Sequence, residues 1–259
     1  MKKSLPVMLR LLLCLYLTAL LSGCATTAAN LPPEEPPMHS LAEFSDDEKM
    51  AMMSVYDPWE SFNRRMYKFN FYADKYVVMP VITSYEFITP TVVQTGVSNF
   101  FNNIGEVKTL YNSLLQAKGG KSLNAIGRFA TNSTLGIAGL FDVATGFGMK
   151  RNPEDFGQTL AVWGVGRGPY VVLPFLGPNT ARGTSGYVVD TGARMAMVGA
   201  IDPYSNMDNG STVEAAVTGL EVIDARHQVK FRYFESYYPF EYLMVRYLFV
   251  QQRDFMGMK

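Results

Sequence analysis

The pattern of apolar and polar positions divides the chain into three parts. Residues 11–21 form an almost unbroken apolar run behind a basic start. Residues 25 to about 55 are small, polar or proline-rich, a composition that favours an extended, solvated path. From residue 57 onwards apolar residues recur at the spacing of α-helices.

The first helix of this body is predicted to begin at Asp57-Pro58-Trp59-Glu60. Asp57 is a suitable N-cap, and Glu60 lies where the carboxylate of a capping box belongs. Behind it, an apolar face recurs at helical spacing through Phe62, Met66, Phe69 and Ala73.

The same reasoning predicts further helices and an all-α domain over residues 57–259. The predicted segments are 91–101, 104–117, 122–135, 179–200, 212–237 and 239 towards 254. In the third of these, Leu123, Ile126, Phe129 and Ala130 lie on one side.

The centre of the body is irregular and rich in glycine. Eleven glycines lie between Gly136 and Gly186, well above average usage of about 7%. Gly164, Gly166 and Gly168 alternate just before Pro169-Tyr170, where a dinucleotide-binding loop would need a final glycine and the start of a helix. This pattern indicates a hinge or a tight hairpin.

The N-terminus has the order of a secretory signal, with positive charge, an apolar run and small residues before a cysteine. Leu21-Ser22-Gly23-Cys24 resembles the bacterial lipobox, which implies cleavage before Cys24 and lipidation of its sulfur. We therefore expect a signal peptide at 1–23 and a lipidated N-terminus with a proline-rich tether at 24–56. An ordinary secretory signal with an accidental cysteine is the alternative.

Candidate chemistry is sparse in this sequence. The two histidines, His39 and His227, have no matched Cys, His or carboxylate partners at metal-ligand spacing, and His227 is interpreted as a structural or surface residue. Gly183-Thr184-Ser185-Gly186 does not fit a nucleophile elbow. We predict no catalytic residue, no metal, no cofactor and no enzymatic activity. No basic patch indicates a nucleic-acid partner.

Aromatic residues are abundant, with 17 Phe, 15 Tyr and 2 Trp. Residues 231–249 hold many of them, interleaved with charged residues. Tyrosine beside basic residues suits the headgroup layer of a bilayer, and a helix-packing core is an equally good interpretation.

Five blocks in order resemble the VacJ/MlaA lipoproteins. The first, DPWESFNRRMYKFN at 57–70, is similar to that family's opening motif. The others are Arg128-Phe129 with Asp142-Val143-Ala144, Phe156-Gly157-Gln158 leading to Gly164–Tyr170, Ile223-Asp224-Ala225-Arg226, and Arg253-Asp254-Phe255.

This resemblance implies a ring-like single domain of helices lying in the periplasmic leaflet of the outer membrane, lipid-anchored, with an amphipathic channel beside a trimeric porin. Such proteins remove misplaced phospholipids from the outer leaflet and pass them to a soluble periplasmic carrier. The resemblance places a flexible hairpin at Gly164, Gly166 and Gly168, and channel gating at Asn70 and Phe71. A structural porin-associated lipoprotein and a periplasmic lipid hydrolase are the alternatives.

Overall fold

Helices dominate the computed structural model, which describes residues 46–47, 54–234 and 240–258. The predicted signal peptide at 1–23, Cys24 and the proline-rich part of the tether lie outside the described residues. The predicted all-α class is confirmed for the described part, with one two-stranded hairpin added to it.

The elements follow one another in this order: α1 Glu60–Ala73, a π-helix Asp74–Val78, α2 Met79–Ile88, α3 Thr91–Leu115, α4 Gly119–Thr134, α5 Val143–Gly146, α6 Phe156–Val162, β1 Tyr170–Leu173, β2 Gly177–Thr180, α7 Ala181–Ile201, α8 Gly210–His227 and α9 Glu241–Met258. The two strands pair antiparallel, from Tyr170 opposite Thr180 to Leu173 opposite Gly177.

The start of α1 differs from the prediction. Its N-cap is Trp59, without a side-chain cap. Asp57 instead accepts hydrogen bonds from Asn63 and from Tyr242 of α9, and Glu60 pairs with Arg64. The carboxylate of Asp57 is used to neutralise the buried Arg246 of α9, and this need outweighs the gain from capping.

Two predicted helix boundaries are also wrong. The segments 91–101 and 104–117 form one continuous helix, α3, because Asn102 and Asn103 direct their amides to Gln228 and Ser133 and do not compete with the backbone. At the other end of the body, α8 stops at His227 and does not reach residue 237. The guanidinium of Arg226 binds the carbonyls of Val229 and Phe231, which stabilises a turned chain there.

Several helices, among them α1, α3 and α4, bury their polar faces. In α1 the buried residues are Asn63, Tyr67 and Asn70, while Phe62 and Phe69 are exposed. In α4 the buried set is Ser122, Ala125, Arg128 and Asn132, and the apolar set predicted to share one side faces outwards, namely Leu123, Ile126, Phe129 and Ala130. Among the described residues, buried polar side chains outnumber buried apolar ones.

A compact apolar cluster forms where α1, the hairpin and α9 meet. It contains Tyr67, Tyr170, Val172, Tyr242, Leu243 and Val250. Tyr233, Phe234 and Phe249 pack against it, and Tyr67 meets three neighbouring rings edge to face. For these members of the aromatic-rich segment, the packing interpretation is correct.

Helices α6 and α7 approach each other closely at Gly157 and Gly186. A Cβ on Gly186 would lie 2.2 Å from the backbone nitrogen of Gly157, so no larger residue fits there. Within the described ranges, no single helix has the length and hydropathy to cross a membrane. The segments Glu60–Ile88 and Thr91–Leu115, joined at a bend of 119°, satisfy that test only as a pair.

Candidate functional site

Two asparagines of α1 hold the β-hairpin by its backbone. Asn63 donates to the carbonyl of Tyr170 at 3.1 Å and accepts from the amide of Val172 at 2.8 Å. Asn70 repeats this arrangement with the carbonyl of Leu173 at 2.9 Å and the amide of Phe175 at 2.7 Å. Because an amide side chain carries both a donor and an acceptor, each asparagine takes the place of a neighbouring strand along β1.

Asn70 reaches the turn of the hairpin, where Phe175 has a positive φ of 61° and is exposed. The ring of Phe69 packs edge to face on Phe175, with centroids 5.2 Å apart. Phe71 points to different partners: its ring meets Phe234 at 5.0 Å, and the Nζ of Lys75 lies 5.6 Å from its centroid. The two residues that the resemblance ties to gating therefore link α1 to the hairpin turn and to the segment before α9.

The three alternating glycines precede the hairpin rather than form it. They lie in the connection from α6 to β1, and Gly164 and Gly168 have positive φ values of 85° and 67°. A Cβ on Gly168 would lie 2.9 Å from the Cβ of Ala181. The connection is fastened by Arg182, which donates to the carbonyl of Val165, and by an ion pair between Arg167 and Asp254. Asn70 thus contacts the turn of the hairpin, and the glycines adjoin its first strand; their hinge role stays a prediction.

Buried tyrosines and carboxylates connect α1 to α9. Tyr67 donates to Glu241 at 2.6 Å, and Tyr242 donates to Asp57 at 2.5 Å. Burial raises the pKa of the Tyr67 hydroxyl well above its usual range, and the hydrogen bond to Glu241 adds to this rise. Burial also raises the pKa of Tyr233 to about 12. The hydroxyls of Tyr67 and Tyr242 stay protonated near neutral pH and donate to these carboxylates.

A second polar cluster joins α3 and α4. Arg128 is buried and binds Glu106 through Nε at 2.7 Å, Asp142 through Nη2 at 3.1 Å, and the hydroxyl of Thr145 through Nη1. Burial alone would raise the pKa of Asp142, but hydrogen bonds from Thr145, Asn132 and Arg128 outweigh it and hold that pKa below its ordinary value. The guanidinium of Arg128 thus lies between two carboxylates and ties α4 to α3 and to the start of α5.

Nothing in the described geometry forms a metal site: residues 46–47, 54–234 and 240–258 contain no group of three or more His, Cys, Asp or Glu placed to hold an ion. His227, interpreted from sequence as structural, binds Glu86 through Nδ1 at 2.7 Å and meets the ring of Tyr85. It links α8 to α2.

Sequence reasoning missed Asn63, Arg246 and Glu241 as members of this site. One signal was available for the first of them. Asn63 and Asn70 are seven residues apart, or two helical turns, so they lie on one face of α1 and each follows an exposed phenylalanine. The spacing of the two asparagines marks the face of α1 that binds the hairpin.

Comparisons with known proteins agree with one another. The family model for the MlaA lipoprotein matches residues 55–256. The intermembrane phospholipid transport system lipoprotein MlaA of Escherichia coli K12 is 36% identical over 208 residues, covering 78% of each chain. That of Shigella flexneri is 35% identical over 214 residues, with 78% of each chain covered.

Other matches are shorter. An uncharacterized protein of Rickettsia typhi is 39% identical over 137 residues, so the matched part spans about half of that relative, 55% of its length. A solved structure from work on the maintenance of bacterial outer membrane lipid asymmetry aligns with a TM-score of 0.62 and 31% identity. It covers 78% of this chain and 98% of its own. The chain belongs to the MlaA lipoprotein family.

Proposed function

We propose that this protein is a lipid-anchored component of the outer membrane that removes misplaced phospholipids from the outer leaflet and so maintains lipid asymmetry. In this proposal the helices form a ring in the periplasmic leaflet, and phospholipid passes through an amphipathic channel to a soluble periplasmic carrier. A trimeric outer-membrane porin is the neighbour. Relatives that carry the name of an intermembrane phospholipid transport lipoprotein support it.

One structural observation carries the proposal: the polar faces of α1, α3 and α4 point inwards, and many large apolar side chains point outwards. Phe87 is 90% exposed, Val92 78% and Leu123 72%. Exposed apolar surface on this scale is costly in water and costs nothing in a lipid leaflet. Buried polar side chains such as Asn112, Thr159 and Asp190 are hydrogen-bonded to one another, which offsets much of the cost of a polar interior.

The membrane attachment in this proposal has two parts. The lipid on Cys24 retains the protein at the membrane, and the exposed apolar helices add a second attachment, because stable anchoring takes two signals. No step of the proposed transport requires covalent chemistry: a phospholipid path needs apolar walls and a few polar groups. Measurements of outer-leaflet phospholipid and of lipid hydrolysis products separate transport from the purely structural and the hydrolase alternatives.

Expression of the chain in an Escherichia coli strain that lacks its own MlaA lipoprotein tests the proposal. We expect outer-leaflet phospholipid to fall from the raised level of the deletion strain to the level of the parent strain. A chain with Cys24→Ala is the control and is expected to leave the level raised. An unchanged level with the intact, membrane-bound chain would contradict transport, and the appearance of lysophospholipid or free fatty acid with purified protein would indicate a hydrolase.

A change in the glycine connection tests its role as a hinge. Gly166→Pro is expected to stiffen the segment between Gly164 and Gly168, since proline fixes φ near −65°, and to raise outer-leaflet phospholipid in the same strain. A Cβ at Gly166 meets nothing within 4 Å, so the melting temperature should change by only a few degrees. Gly166→Ala is the matched control, because alanine fills the same open space without fixing φ. Full transport by the proline variant would rule out a moving connection.

A further inference from the structure

The last turn of α9, residues 253–257, lies against the glycine connection, residues 163–169, which joins α6 to β1. Asp254 of this turn accepts a hydrogen bond from Nη1 of Arg167 at 2.7 Å. The guanidinium of Arg182, at the start of α7, lies 4.0 Å from the other carboxylate oxygen of Asp254. One carboxylate therefore faces two cations, one within the connection and one in the helix that follows the hairpin.

Arg182 holds the backbone of the glycine connection. Its Nη1 donates to the carbonyl of Val165 at 2.9 Å, and its backbone N–H donates to the carbonyl of Arg167 at 3.1 Å. Packing adds little at the centre of the connection, because a Cβ on Gly164 or Gly166 would meet nothing within 4 Å. The path of the connection therefore depends on polar contacts, and these contacts involve the two arginines.

The carboxylate of Asp254 balances the charge of Arg182. The side chain of Arg182 is 11% exposed, and burial lowers the pKa of its guanidinium. The positive charges of Arg253 and Arg167 act in the same direction, whereas the carboxylates of Asp254 and Asp155 oppose them. Of these two carboxylates, Asp155 is already bound bidentately by Arg253. Removal of the charge of Asp254 would therefore leave Arg182 and Arg167 as like charges without the carboxylate between them, which weakens their hold on the connection.

The last turn of α9 is also fixed by contacts that do not involve Asp254. Arg253 binds the carboxylate of Asp155, the N-cap of α6, through Nη1 at 2.6 Å and through Nη2 at 2.9 Å. A Cβ on Gly257 would lie 3.0 Å from the Cβ of Ala161 in α6, so the two helices pack closely there. Loss of the contacts of Asp254 would therefore free the connection while α9 stays docked on α6.

We propose that the last turn of α9 is a strap for the glycine connection, and that Asp254 is the positioning residue at which the strap opens and closes. Since Arg167 and Asp254 are both partly exposed, their ion pair is weak enough to break and re-form without unfolding of the domain. The proposal rests on the proposed function in one respect, namely that the connection moves during lipid passage. It adds to that function the element that restrains the movement.

Amide hydrogen exchange of the intact purified chain in detergent micelles tests the strap, with mass spectrometry of peptides that cover residues 163–169. Asp254→Asn keeps the shape of the side chain and removes its charge. We expect exchange in these peptides to rise about threefold or more, as for the loss of a partly exposed ion pair, while the melting temperature and the circular dichroism stay close to those of the parent. Asp254→Glu retains the carboxylate and should keep exchange within about twofold of the parent.

Glu221→Gln is the matched control. The side chain of Glu221 is 26% exposed, close to the 28% of Asp254, and it forms an ion pair with Arg194 between α7 and α8. The same loss of one negative charge there is expected to leave exchange at 163–169 unchanged. An equal rise with Glu221→Gln would indicate a general charge effect and would overturn the proposal. Parental exchange in a folded Asp254→Asn protein would overturn it too, and so would an equal rise with Asp254→Glu and Asp254→Asn.

Salt provides an independent readout of the same contact. An increase in ionic strength from about 0.05 M to about 1 M shortens the Debye length to about 3 Å, so exchange at 163–169 in the parent should rise towards that of Asp254→Asn, and the variant should respond little. A parent without this response would contradict an ionic strap. If the intact chain fails to restore asymmetry in the deletion strain while exchange still depends on Asp254, the transport function fails and the strap stands. If asymmetry is restored and exchange does not depend on Asp254, the strap fails and the transport function stands.

Discussion

Replacement of Arg128 by leucine is expected to lower the free energy of unfolding by about 3–5 kcal/mol. Arg128 is 2% exposed, and its guanidinium neutralises Glu106, which is 1% exposed, together with Asp142. Leucine would leave the carboxylate of Glu106 buried without its cation. Removal of one partner from a buried ion pair costs far more than the pair itself contributes. Denaturant unfolding of the purified chain, followed by circular dichroism, measures the difference.

Arg194→Leu is the matched control for this prediction. Arg194 also forms an ion pair across two helices, with Glu221, but its side chain is 46% exposed. Solvent screens that pair, so its loss is expected to cost at most about 1 kcal/mol. Similar losses in the two variants would contradict the view that the polar interior, and not ion pairing as such, stabilises α3 against α4.

The predictable part of the fold follows from local signals. The helices near 122–135, 179–200 and 239–254 were predicted from spacing and end signals and lie close to α4, α7 and α9. The predicted start of α1 was wrong because the side chain concerned binds a residue that is distant in the sequence. Asp57 is drawn away from a cap by Arg246, which lies 189 residues later, and no local pattern around residue 57 contains that information.

Sequence spacing did not predict which face of each helix is buried. Apolar spacing correctly identified α1 and α4 as amphipathic, but spacing gives the period of a face and not the medium that it meets. In a protein surrounded by water, Phe62 and Leu123 would point inwards. Here Asn63 and Arg128 do so, because each finds buried partners that replace its hydration.

The resemblance assigned gating to Asn70 and Phe71 and a flexible hairpin to the glycines at 164–168, and these roles stay predictions. In the structure Asn70 contacts the turn of the hairpin and the glycines adjoin its first strand, whereas Phe71 contacts Phe234. The contacts themselves depend on atoms of β1 that no sequence pattern marks, since a backbone carbonyl such as that of Leu173 is available at every residue. Only the tertiary structure selects which of them Asn70 binds.

Asn70→Leu is expected to release the hairpin turn. Leucine has the branched shape of asparagine but is larger and has neither its donor nor its acceptor, so the carbonyl of Leu173 and the amide of Phe175 lose the partners seen at 2.9 and 2.7 Å. Each buried polar group left without a hydrogen bond costs about 1–3 kcal/mol. Amide hydrogen exchange at Phe175 should therefore accelerate by tenfold or more, since about 1.4 kcal/mol corresponds to a factor of ten.

The effect of Asn70→Leu on amide exchange is expected to be confined to the turn of the hairpin. Asn124→Leu removes a single exposed bond to the carbonyl of Lys150 and should leave exchange at Phe175 unchanged. Asn63→Leu removes the equivalent pair of bonds at Tyr170 and Val172, so faster exchange should appear there first, at the other end of β1.

If Asn70→Leu changed outer-leaflet phospholipid while Asn63→Leu did not, lipid passage would depend on the turn of the hairpin in particular. If Asn70→Leu left the amide of Phe175, and Asn63→Leu the amide of Val172, as protected as in the parent chain, the two asparagines would not hold the hairpin, and gating at Asn70 would need another physical cause.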